Sequence, residues 1–111
     1  MANDDMHVVM YKILAYIYSC NKEGKTPRKS EIMHNGSLVS VPYGYWVMIM
    51  EQIVKKGLVT GITVQDAWGG ILIHVDDPAI TLEGVEFLQE NGMMKKALEF
   101  LKETKSALPF I

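Results

Sequence analysis

The sequence is poor in most of what a disulfide-built, membrane-bound or phosphate-coating protein requires. Cys20 is its one cysteine, so no disulfide framework can form, and the thiol reads as a small buried hydrophobe in a reducing cytoplasm. Arg28 is its one arginine; Lys and Arg total 11 against 13 Asp and Glu, for a net charge of −2. That balance gives no general field for nucleic acid and leaves room only for a local basic patch. Apolar runs are short, as in Trp46 to Met50, far below the ~18 residues of a membrane span. The opening Met-Ala-Asn-Asp-Asp lacks the cationic start and apolar block of a secretory signal. A cytoplasmic protein with no membrane association is expected. Internal repeats and low-complexity tracts are missing as well.

Chemistry is equally sparse. His7, His34 and His74 fall at a helix start, a helix end and a strand, with no pair at metal-ligand spacing. His34, near a helix C-terminus, reads as a residue that favours the dipole there. Asp76-Asp77 precedes Pro78 and reads as a turn, and Gly69-Gly70 lacks the Lys and the helix of a phosphate loop. The expectation is therefore no catalytic residue, no metal, no cofactor and no enzyme.

What is present is pattern. At 111 residues the chain matches one domain, typically ~100–150 residues. Asn3, Asp4 or Asp5 can cap a first helix whose Met6, Met10, Ile13, Leu14, Ile17 and Tyr18 recur at three- and four-residue steps. Val9, Ala15 and Tyr16 widen that apolar face, and Asn21 to Lys25 close it in a polar loop. Thr26-Pro27 offers a hydroxyl cap and a first-turn Pro for a short second helix stopped at Asn35-Gly36. Pro42 opens a third helix that ends at Lys55-Lys56-Gly57, two cations and a residue suited to a left-handed cap.

Leu58 to Val64 and Ile71 to Val75 then read as strands around the turn Asp66-Ala67-Trp68-Gly69-Gly70. Strand alternation puts Thr60, Ile62 and Val64 on one face, with Val59, Gly61 and Thr63 on the other. Asp76-Asp77-Pro78 is expected to break this ribbon. Thr81 caps a fourth helix in which Gly84 allows close packing on the sheet, and Asn91-Gly92 ends it. An amphipathic C-terminal helix is expected over residues 93–108. The fold class is α+β: a winged helix-turn-helix with a three-helix core, a two-stranded wing and two additional C-terminal helices.

Two stretches carry a resemblance. One is Lys55-Lys56-Gly57-Leu58-Val59-Thr60-Gly61-Ile62; the other is Ile80-Thr81-Leu82-Glu83-Gly84-Val85-Glu86-Phe87-Leu88-Gln89-Glu90-Asn91-Gly92, followed by a Lys-rich amphipathic segment. Together they resemble the YjcQ family of small winged-helix proteins from Gram-positive bacteria and their prophages. The likeness implies a winged-helix fold and a poorly characterised role, and it brings no catalytic residues. The aromatic-rich run from Pro42 to Met50 departs from the family pattern.

Two functional readings follow. A DNA-binding, transcription-regulator-like protein would place the third helix in the major groove of duplex DNA. Its candidate contacts are Lys25, Arg28, Lys29, Gln52, Lys55 and Lys56, with Glu51 among them to repel phosphate. The alternative is a protein–protein interaction module whose partner surface is Tyr45, Met48 and Trp68, an apolar patch where DNA binders are polar. Trp68 at the wing tip either folds back on the sheet or stands out as an anchor. Met94, Leu98, Leu101 and Leu108 have the spacing of a coiled-coil seam. They either pair with a second copy in a homodimer or pack on the first helix of the same chain.

Overall fold

The chain is seen in a computed structural model that describes residues 5–90. Its elements run α1 (Met6–Lys22), α2 (Lys29–Ile32), α3 (Tyr43–Lys55), β1 (Val59–Ala67), β2 (Gly70–Ile80) and α4 (Leu82–Glu90). Among the described residues this is an α+β arrangement of four helices and one two-stranded antiparallel sheet.

The spacing of apolar residues puts α1 at the centre. Val9, Ile13, Leu14, Tyr16 and Ile17 are fully buried, and Met10 and Ala15 nearly so. Each large aliphatic side chain of this kind contributes about 1.5–3 kcal/mol by leaving water. Asp5 occupies the N-cap position without a side-chain hydrogen bond to the helix; Asn3 and Asp4 lie outside the described residues. The helix runs on through Asn21 and Lys22, which the sequence had assigned to a loop.

The second helix starts later than its Thr26-Pro27 signal suggests and holds only Lys29–Ile32. Arg28 is extended, and its backbone N–H donates to the Tyr16 phenol oxygen at 2.9 Å. Pro27 is buried. A ring packed into the core and an amide already bonded to α1 hold this segment straight, and both outweigh one more helical turn.

In α3 the 3.6-residue period buries Trp46, Val47, Ile49, Met50 and Ile53. Trp46 Nε1–H donates to the Ile32 carbonyl at 2.9 Å, so the buried indole also caps α2. Pro42 lies at the N-cap, one position before the helix it opens, and its carbonyl accepts the Trp46 N–H. At the other end Gly57 (φ +68°) donates to Val54 O and Leu58 donates to Ile53 O. Those two bonds form a Schellman closure, which turns the chain directly into β1.

The ribbon is longer than its apolar runs. Val59 pairs with Ile80 and Ala67 with Gly70, leaving a two-residue turn of Trp68 and Gly69. Asp76-Asp77-Pro78 does not end the pairing: Thr60 still pairs with Ala79, and Ile62 with Val75. Gly61 alone faces the three inserted residues, with φ +80°, while Asp77 has φ +47°. A side chain at Gly61 would meet Asp77 O at 2.9 Å and Pro78 Cα at 3.0 Å. This bulge also reverses the face assignment at its root. Val59 and Ile62 are buried and Thr60 is exposed, so Thr60 does not share a face with Ile62 and Val64. Beyond the bulge, Ile71, Ile73 and Val75 face inward while Leu72 and His74 face water, as alternation predicts.

Asn21 holds the ribbon root. Its Oδ1 accepts the Ile80 N–H at 2.8 Å and its Nδ2 donates to Pro78 O at 3.3 Å, replacing the ladder partner that the edge of β2 lacks there. The fourth helix is capped by Thr81, whose Oγ1 accepts the Gly84 N–H at 3.1 Å and donates to Gly57 O at 2.6 Å. Thr81 N–H donates to Leu58 O, so α4 is bonded to the α3–β1 junction on which Gly84 packs.

Candidate functional site

The outward side of α3 and the tip of the ribbon carry most of the exposed large apolar groups. Met48 is 54% exposed, Tyr43 44%, and Trp68 is fully in water. Tyr45 is half-buried. Trp68 therefore stands off the sheet and does not fold back on it.

Tyr43 was not singled out by helical spacing, because its position one turn before Trp46 puts it on the buried side. It escapes burial because it is the first residue of the helix, with nothing preceding it to cover the ring. Its hydroxyl donates to Ile71 O at 3.3 Å, linking the start of α3 to β2 just behind the Trp68 turn. The ring packs against His34 (5.4 Å, edge-on) and Trp46 (5.7 Å). His34 is also 6.1 Å from Trp46, and its Nδ1 is 3.3 Å from Val41 O. It lies beyond the last residue of α2, in this aromatic group, and its role is to pack rather than to complement a helix dipole.

The six cationic and polar residues proposed for DNA do not converge. Gln52 and Lys55 line a depression of about 370 Å³ with Met6, Met48, Glu51 and Val64. Lys25 lines a different hollow that includes Asp77. Lys29 lines a third, beside Asp76 and His74. Arg28 is exposed and its backbone is committed to Tyr16. Lys56 is exposed at the C-cap of α3. Lys25 and Lys29 thus border the acidic bulge of the ribbon, apart from Lys55 and Lys56 at the end of α3.

From residue 57 to residue 90 the sequence has no Lys or Arg, while Asp66, Asp76, Asp77, Glu83, Glu86 and Glu90 all fall there. The ribbon and α4 are consequently acidic wherever they are charged. Phosphate is repelled from such a surface, and a cationic one is attracted.

Among the described residues Tyr16 and Cys20 are the buried titratable groups. Burial pushes the Tyr16 phenol up to about 12, against the pull of the Arg28 N–H, and also pushes the Cys20 thiol up. Both stay protonated and hydrogen-bonded to each other, a packing role and not a nucleophilic one. Among the described residues no group of three His, Cys, Asp or Glu is placed to hold a metal ion. No helix among them is long and apolar enough to cross a membrane.

The family model described as YjcQ protein matches residues 11–107, which takes in every described element except the first five residues of α1. The chain belongs to the YjcQ family. Within that match lie both Lys55–Ile62 and Ile80–Gly92, the two stretches whose resemblance pointed to YjcQ. No curated protein and no solved structure matches the chain. The helix expected from spacing over 93–108 and its seam of Met94, Leu98, Leu101 and Leu108 lie outside the described residues.

Proposed function

We propose that this YjcQ protein is a single-domain winged helix used as a non-catalytic protein-docking module. In this reading α1, α2 and α3 are the three-helix core, α2 and α3 the helix-turn-helix pair, and β1–β2 the wing. Tyr45, Met48 and Trp68 contact the partner, joined by Tyr43. The observation that carries it is Trp68, fully exposed at the tip of a ribbon that has acids and no Lys or Arg. Leaving an indole in water forgoes about 4–6 kcal/mol, from 150–250 Å² at 25 cal/mol per Å². An interface recovers that energy, and Trp is a favoured anchor there. DNA-contacting ribbons need cations at the same place.

A second reading, contact of α3 with duplex DNA, is favoured by Gln52 and Lys55 sharing one open depression. One experiment separates the two. Labelled duplex is titrated with the wild-type chain and with Lys55→Glu/Lys56→Glu at low salt, while affinity capture from the source cell compares wild type with Trp68→Ala. Docking predicts no duplex binding and a captured protein lost with Trp68→Ala. Duplex binding that weakens steeply with salt and vanishes on charge reversal, with capture unaffected by Trp68→Ala, would overturn it in favour of DNA.

A further inference from the structure

The ribbon has two long edges, and among the described residues only that of β2 is engaged. A two-residue turn makes Ala67 and Gly70 a hydrogen-bonded pair, and such pairs alternate along an antiparallel ladder. Asp66, Val64 and Ile62 therefore turn their N–H and C=O groups away from β2, while Ile71 and Ile73 turn theirs away from β1. The β2 edge is held at both ends. Ile71 O accepts the Tyr43 hydroxyl, and Asn21 bonds Pro78 O and Ile80 N–H. Among the described residues nothing outside the ribbon bonds to the backbone of Ile62, Val64 or Asp66.

Exposed edges usually carry Lys, Pro or a bulge that keeps other strands away. Here the bulge at Gly61 protects only the root. Beyond it, Ile62-Thr63-Val64-Gln65-Asp66 has neither Lys nor Pro and is rich in β-branched residues. The α3 side of this edge is hollow: Val64 lines the depression of about 370 Å³ with Met6, Met48 and Val54, and no β2 residue does. Trp68 stands fully in water just past Asp66. Asp66 is the charged residue of this run, no Lys or Arg falls between residues 57 and 90, and Lys55 shares the depression with Glu51.

We propose that the β1 edge receives an extended, cationic segment of the partner protein as a third strand. The proposal rests on the docking reading and supplies the chemistry of the partner. Main-chain bonds to Ile62, Val64 and Asp66 give affinity, and alternate side chains give specificity. Residues 62 to 66 span roughly 17 Å at about 3.4 Å per residue, room for a short strand. Apolar side chains on the α3 side of that strand enter the depression beside Val64 and Met48, a Lys or Arg meets Asp66, and the Trp68 indole covers the end. A second copy is the poorer occupant, because it would bring together two ribbons of the same sign.

Amide exchange by NMR on the full chain tests it, with an alternating Lys-Val octapeptide as probe and its Glu-Val counterpart as control. In excess Lys-Val peptide, exchange at Ile62, Val64 and Asp66 should slow roughly tenfold or more and stay unchanged at Ile73, while the Glu-Val peptide alters none of them. Asp66→Lys should weaken the effect. Unslowed exchange at the three amides, or equal slowing by both peptides, overturns the proposal. So does slow exchange there without peptide together with a two-chain mass in light scattering, which would assign the edge to a second copy. Val64→Pro separates strand addition from docking in general, since it deletes the central outward N–H and leaves the ladder bonds of Thr63 and Gln65. Capture lost with Trp68→Ala but kept with Val64→Pro would leave docking standing and refute the added strand; capture lost with both, at unchanged urea unfolding, supports it. Capture indifferent to Trp68→Ala overturns the docking reading and this proposal with it. Should Val64→Pro fail to fold, the peptide exchange on the wild-type chain decides.

Discussion

Two glycines within helices should respond oppositely to the same substitution. Helix propensity alone assigns Gly→Ala a gain of up to about 1 kcal/mol at either. At Gly44, in the first turn of α3, an added Cβ meets nothing within 4 Å, and the full gain should appear. At Gly84 the same atom would overlap the Leu58 carbonyl oxygen and lie 2.6 Å from Ile80 Cγ1. Ordinary contact needs about 3.5 Å. The Leu58 oxygen cannot simply retreat, because it accepts the Thr81 N–H at 3.0 Å and Thr81 caps the same helix. Overpacking costs about 1–3 kcal/mol, and weakening the Thr81 bond adds ~0.5–1.5 kcal/mol. These terms exceed the propensity gain, so Gly84→Ala should lose about 1–3 kcal/mol.

Urea unfolding followed by fluorescence of buried Trp46 reads both variants. With a slope near 1–2 kcal/mol/M, the Gly84→Ala midpoint should fall by roughly 1–2 M and the Gly44→Ala midpoint should rise by about 0.5 M at unchanged slope. A Gly84→Ala chain as stable as wild type would mean that α4 does not rest on the α3–β1 junction, and the described packing would be wrong.

Other perturbations test separate parts of the structure. Asn21→Ala leaves Ile80 N–H and Pro78 O without their partner; a loss of about 1–3 kcal/mol is expected, with faster hydrogen exchange at Ile80 than at Val64. Trp46→Phe removes the bond to Ile32 O and leaves space in the core; about 2–4 kcal/mol should be lost, read by thermal unfolding. Trp68→Ala should change stability by less than ~0.5 kcal/mol in a urea titration, since its side chain is fully in water. Tyr16 ionises at the ordinary 10.0 when unfolded and at about 12 when folded, so the unfolded chain holds fewer protons in between. Its stabilising contribution is intact below pH 10 and declines from there toward pH 12, with the raised Cys20 thiol acting in the same direction from lower pH. Tyr16→Phe should flatten the upper part of that decline in unfolding measured against pH; an unchanged slope would contradict the burial of the phenol.

The sequence by itself determined the local elements: the amphipathic α1 and α3, the left-handed stop at Gly57, the Thr81 cap and the alternation of Ile71 to Val75. Each of these is set by residues a turn or a strand apart, so period and capping chemistry reveal it without knowledge of the rest. The sequence also shows that Lys and Arg are missing from residue 57 to residue 90, though not where the earlier ones would lie. Tertiary structure alone decided the rest. Pairing of Thr60 with Ala79 carries the ribbon past Asp76-Asp77-Pro78, because Asn21, far away in sequence, bonds the root of β2. The Tyr16 phenol takes the Arg28 amide and delays α2, and the Met6–Met48 depression exists only because α1, α3 and β1 meet. Such outcomes depend on which backbone groups and apolar surfaces find partners across the fold, and no short window of sequence contains both members of those pairs.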